Sequence, residues 1–155
     1  MKNINIAEKP VSKRSLSRLI AVQSLYQYYY LEKNDDIMDL AVEIVDNYLI
    51  DAENDQITSY RKKIDMKLLT ELLENITEKT AEIDKIITKS LEKQHNFSKI
   101  QDVILAILRI AIFELKFINK TPFKVIIDEY VNIASSFYDK KSVDFVNAIL
   151  NKSHE

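Results

Sequence analysis

Residues 100–118 read IQDVILAILRIAIFELKFI, the most apolar stretch of the chain. Arg109, Glu114 and Lys116 interrupt it, so it reads as a core helix covered on most sides and not as a membrane span. A second stretch has the same character. From Ser12 to Leu31 the sequence is SKRSLSRLIAVQSLYQYYYL, with Leu16, Leu19, Ile20, Gln23, Tyr26 and Tyr30 at helical spacing. Ser12 is placed to cap it, and from Leu19 onward it is apolar nearly all round, as a central helix would be. Two such helices, one in each half, predict an all-α fold: six to seven helices in two packed subdomains, roughly 1–78 and 79–155, within a single domain.

The rest of the chain fits around these two. Ile37–Ile50 reads as an amphipathic helix with Leu40, Ile44, Val45 and Leu49 inward. Asn34, Asp35 and Asp36 precede it, and the charged DAENDQ stretch from Asp51 to Gln56 follows. Ile64–Leu91 predicts two helices broken near Asn75–Lys79, or one bent helix. Lys93–Phe97 is a polar linker, with Ser98 as a candidate cap. Thr121-Pro122 is a helix start, a hydroxyl cap followed by proline at the first helical position. That helix runs to about Tyr138, and Ser142 is placed to cap a last one through Leu150.

Composition excludes more than it proposes. The 155 residues include no glycine, no cysteine and two prolines. A phosphate-cradling loop, a dinucleotide turn and a serine nucleophile elbow all need glycine where the backbone turns left-handed or meets a ligand closely. A disulfide framework or cysteine nucleophile is excluded as well. His95 and His154 are far apart, a poor metal or acid–base pair. Adjacent carboxylates such as Asp128 and Glu129 point about 100° apart on a helix and do not converge. The sequence therefore predicts no enzyme, no catalytic residue, no cofactor and no metal. The start, Met1–Pro10, has no secretory signal, and no long uncharged stretch marks a membrane span, so the expected location is cytoplasmic.

Net charge is -2, with 22 basic against 24 acidic residues, so a basic surface can only be local. It concentrates at the N-terminus, where Lys2, Lys9, Lys13, Arg14 and Arg18 face only Glu8 before Leu19. Arg14 and Arg18 are four apart and share one helix face. Cations at a helix start oppose the macrodipole and gain nothing locally, which points to phosphate; an ordinary charged chain end is the plainer alternative. A second candidate is Asp139-Lys140-Lys141-Ser142 before the last helix, where free N–H groups and lysines would attract an anion. Phe145 on the following turn would stack on a base or enter the core. Tyr26, Tyr28, Tyr29 and Tyr30 pose the same choice. Gln23 reads as a buried amide. Arg109 needs a carboxylate, for which Glu129 is the candidate.

KRSLSRLIAVQSLYQ (Lys13–Gln27), AILRIAIFEL (Ala106–Leu115), TPFKVIIDEYVNIA (Thr121–Ala134) and FVNAIL (Phe145–Leu150), in this order, resemble the NusB family of bacterial transcription antitermination factors. Residues 31–99 match only as helical pattern. The resemblance implies a helical, noncatalytic protein that binds single-stranded boxA RNA with the ribosomal protein NusE, and joins other Nus factors on RNA polymerase. It maps RNA binding onto Lys13, Arg14 and Arg18, and onto Lys141, Ser142 and Phe145. Three departures stand out. Ser15 and Leu16 interrupt the arginine run, Ala148 replaces a usual glycine, and Ile104 replaces an acidic residue that serves the ribosomal protein in some relatives. Three readings stay beside this one: the RNA-binding domain of a ribosomal RNA cytosine methyltransferase, a purely protein-binding helical scaffold, and a homodimer that occludes the RNA surface.

Overall fold

In a computed structural model, residues 12–31, 36–50 and 64–155 are described. Lys2, Lys9 and the DAENDQ stretch lie outside them. Seven α-helices follow one another among the described residues: α1 Lys13–Tyr30, α2 Ile37–Ile50, α3 Met66–Leu73, α4 Ile76–Ser90, α5 Asp102–Phe113, α6 Phe123–Phe137 and α7 Lys140–His154. A 3₁₀ turn, Phe97–Lys99, precedes α5, and a π-helical segment, Glu114–Ile118, extends it. The expected break in 64–91 falls at Glu74-Asn75, so the 78/79 division lies within the first turn of α4.

α1 is the central helix its sequence predicted. It packs on α2, α3 and α5 and touches α6. Leu16, Ile20, Val22 and Leu25 are buried, together with the small Ala21, Ser17 and Ser24. Ser17 is buried because its hydroxyl is satisfied: it donates to Asp65 O at 2.8 Å and accepts from Asp65 N at 2.9 Å. This cross-link ties α1 to the residue that caps α3 through Leu68 N. In α2, Ile37, Leu40, Ala41, Ile44 and Val45 turn inward as expected, while the side chain of Leu49 lies outside the described set. α5 buries every side chain from Val103 to Phe113 except those of Leu105 and Arg109, which are half-buried. It meets α1 on one side and α4, α6 and α7 on the others. The buried residues form one connected apolar cluster from Leu16 to Leu150.

Two helix ends show how a chain without glycine solves turns. The π segment stops at Asn119, in the left-handed region at φ 50°, ψ 41°, with its N–H bonded to Glu114 O at 2.8 Å. Asparagine is the residue that best substitutes for glycine there. The start of α6 lies one residue later than expected. Pro122 occupies the cap position, Phe123 begins the helix, and the Thr121 hydroxyl does not cap it.

Candidate nucleic-acid interface

Ser12 caps α1 as expected: its hydroxyl accepts from Ser15 N at 3.1 Å. Lys13 and Arg14 follow on the first turn, both exposed, and neither forms an ion pair among the described residues. Arg14 Nη2 donates to Thr121 Oγ1 at 3.0 Å, and Ser15 Oγ donates to Glu129 Oε2 at 2.6 Å. The start of α1 is therefore fastened to the start and middle of α6.

Arg18 does not share the exposed face of Arg14. It is 2 % exposed. Its Nε donates to both carboxylate oxygens of Glu114 (3.1 and 3.0 Å), and its Nη2 to Oε1 at 2.8 Å. Glu129 stands 3.8 Å from Nη1, and the Tyr130 hydroxyl donates to Glu114 Oε2 at 2.7 Å. The expectation of an RNA contact at Arg18 is thus corrected. On a helix covered on several sides, the direction away from Leu16 and Ile20 leads to α5 and α6 rather than to water. Burial alone would weaken the guanidinium's hold on its proton, but the hydrogen bonds and charge of Glu114 outweigh it, so its pKa is raised. Tyr130 is pushed well above the usual phenol range, first by burial and then by the Glu114 carboxylate.

The Arg109 expectation is also corrected in its partner. Its Nε and Nη2 grip Asp84 of α4 at 2.9 and 2.8 Å, and its guanidinium lies 5.0 Å over the Tyr29 ring. Glu129 is engaged by Ser15 and Arg18 instead. Tyr29 and Tyr30 are exposed. Tyr30 stacks on Tyr26 at 5.1 Å, and this end of α1 forms a small cleft with Asp102, Leu105 and Arg109. Gln23 is half-buried rather than fully enclosed.

The second sequence candidate lines a groove of about 660 Å³ between the Phe97–Lys99 turn, the start of α5 and one face of α7. Phe145 sits in it half-buried, edge-on to His95 with ring centres 5.3 Å apart. Lys141 and Ser142 stand one turn before it, and Lys152 lies further along, so the groove follows α7 for roughly 16 Å at the helical rise. Lys99 faces in from the 3₁₀ turn. Lys99, Lys141 and Lys152 form no ion pair among the described residues, although Glu92 and Asp144 share the rim. Ser142 is not the cap of α7. Asp139 is, its carboxylate accepting from Ser142 N at 3.3 Å. A carboxylate already occupies that helix start, so an anion would be held by the lysine side chains rather than by Ser142's N–H. Phe123 stacks on His154 at 3.7 Å, which sets the end of α7 beside the start of α6, where Arg14 is held. His154 is nine residues past Phe145, about 180° around α7, so the arm and the groove are two separate basic features.

Sequence reasoning did not single out Lys99, Lys152, His95 or Thr121 as interface residues. Lys99 and Lys152 are ordinary surface lysines until the fold turns them onto Phe145. Among the described residues, no three His, Asp or Glu side chains gather to hold a metal ion, and no helix is long and apolar enough to cross a membrane.

Comparison with known proteins places this geometry in context. The family model of the NusB family matches residues 15–155. A transcription antitermination protein NusB of Rickettsia bellii (strain OSU 85-389) is 34% identical over 154 residues, covering 97% of this chain and 96% of that protein. The T. maritima NusB structure superposes with a TM-score of 0.67 at 26% identity, over 99% of this chain and 92% of that one. A chain from a crystal structure of the antitermination factors NusB and NusE with double-stranded RNA has a TM-score of 0.71 at 22% identity, over 92% and 96% of the two chains, a likeness of fold.

Proposed function

The chain belongs to the NusB family, and from that premise we propose that it is a noncatalytic RNA-binding adaptor that suppresses premature transcription termination. The observation that carries this reading is the groove along α7, where three lysines free of ion pairs among the described residues surround half-buried Phe145. Unpaired RNA presents what such a groove takes: phosphates for ammonium groups and an unstacked base for an aromatic face. Lys13 and Arg14 add two exposed cations at the start of α1. With net charge -2, the remaining surface does not favour nucleic acid indiscriminately, so attachment is confined to these side chains.

The RNA is boxA-like and single-stranded, and the protein partner is NusE, whose own RNA surface raises affinity without further contacts here. Other Nus factors and RNA polymerase complete the assembly. The relatives it matches at 30–34% identity are antitermination proteins by name, which favours this reading over the methyltransferase domain.

The test is filter binding of labelled single-stranded boxA RNA, with duplex RNA as control, with and without NusE, across a salt series. Lys13→Ala with Arg14→Ala should weaken single-strand binding and flatten log K against log salt by about 1.4, at roughly 0.7 per lost phosphate contact. The circular dichroism spectrum should stay helical. Unchanged affinity and slope would overturn the arm. Binding of NusE with no RNA affinity in any state would favour the protein-scaffold reading.

A further inference from the structure

We propose that Thr121 is a positioning residue for RNA binding, holding the Arg14 guanidinium in the orientation that meets phosphate. The inference rests on the reading of Arg14 as an RNA contact and adds the residue that organises it. A threonine before proline at a helix start ordinarily caps the helix. Here no side chain caps α6, and the Thr121 hydroxyl instead accepts from Arg14 Nη2 at 3.0 Å, across 107 residues of sequence.

Both ends of this hydrogen bond rest on fixed supports. Pro122 has φ -54°, and its ring restricts the backbone of the residue before it. Phe123, next along, is stacked on His154. On the other side, Ser15 is bound to Glu129 and Arg18 to Glu114, so the backbone that carries Arg14 cannot slide along α6. What stays free is the side chain of Arg14 itself, long and exposed. One hydrogen bond to a fixed acceptor removes much of that freedom before RNA arrives. A guanidinium has five N–H donors, and Thr121 takes one, leaving the others for phosphate oxygens.

Ordering one long side chain at an interface in advance corresponds to about threefold to tenfold in affinity. The experiment compares Thr121→Val, Thr121→Ser, Arg14→Ala and the Arg14→Ala/Thr121→Val pair, using single-stranded boxA RNA in a salt series and thermal melts of each protein. Thr121→Val should lose about threefold to tenfold in affinity with an unchanged salt slope, because no charge is removed. Thr121→Ser, which keeps the hydroxyl, should bind like the parent. In the Arg14→Ala background, Thr121→Val should cost nothing further. The inference is overturned if Arg14→Ala weakens binding while Thr121→Val does not. It is equally overturned if Thr121→Val costs the same with and without Arg14, the mark of a structural effect. Unchanged binding in Arg14→Ala removes the arm reading itself, and this inference with it.

Discussion

Replacing Arg18 by methionine tests whether the buried cation is structural or a phosphate ligand. The parent pair is almost sealed: Arg18 is 2 % and Glu114 1 % exposed. Three guanidinium contacts of 2.8–3.1 Å converge on one carboxylate, and the Tyr130 hydroxyl adds a fourth. Methionine keeps much of the volume of the side-chain stem but leaves Glu114 with Tyr130 alone. Removing one member of a buried pair costs about 3–5 kcal/mol, because the remaining charge has neither water nor a counterion. Against a total stability of about 5–15 kcal/mol, that is a large fraction. For a chain of this length it corresponds to a fall in Tm of roughly 6–20 °C. Urea unfolding followed by circular dichroism measures it.

Two controls sharpen the result. Arg18→Met with Glu114→Gln removes both charges yet leaves Tyr130 an acceptor, and should recover more than half of the loss. RNA binding by the doubly substituted protein should keep the parent salt slope. If Arg18→Met instead melts like the parent and lowers the RNA salt slope by about 0.7, the buried-pair account is wrong and Arg18 is a phosphate contact.

Tyr130→Phe should cost about 1–2 kcal/mol at neutral pH, read by urea unfolding, since Glu114 loses a charge-assisted hydrogen bond. The folded Tyr130 pKa is raised, so its contribution is complete below about pH 10, the unfolded value, and is lost as pH rises through the folded one. The variant should therefore lose less stability than the parent on alkaline titration above pH 10. Asn119→Ala should destabilise by about 1–2 kcal/mol through its left-handed backbone, while Asn119→Gly should melt at or above the parent temperature. Phe145→Leu keeps an apolar side chain in the groove but removes the ring face, and should weaken single-stranded RNA binding by about 1–3 kcal/mol with little change in Tm.

The fold was legible because its two decisive helices are apolar nearly all round, and no glycine interrupts them. Periodicity places such helices at the centre whatever their neighbours are. Caps were legible by type and less so by position. Asp139 and Ser142 are both good capping residues three apart, and the carboxylate took the cap while Ser142 supplied the N–H. At Thr121-Pro122 the helix begins one residue late, and the hydroxyl is engaged by Arg14, a residue distant in sequence.

The same distance explains the corrections at the interface. Arg14 and Arg18 lie about 40° apart around α1, and no local rule separates them. What does separate them is Glu114, 96 residues away, and Glu129, which face one and not the other. Arg109 shows the complementary case: its need for a carboxylate followed from its apolar surroundings, but Asp84 and Glu129 are equivalent until α4 is placed beside α5. A cation in a helical sequence thus declares that it requires either an anion or water, and the choice belongs to the packing. Exposed Lys13 and Arg14 are held at the rim by neighbours satisfied without them, since Glu129 is taken by Ser15 and Arg18, and Glu114 by Arg18 and Tyr130. The buried arginine, by consuming the nearby carboxylates, leaves the two cations before it unneutralised and available to an external phosphate.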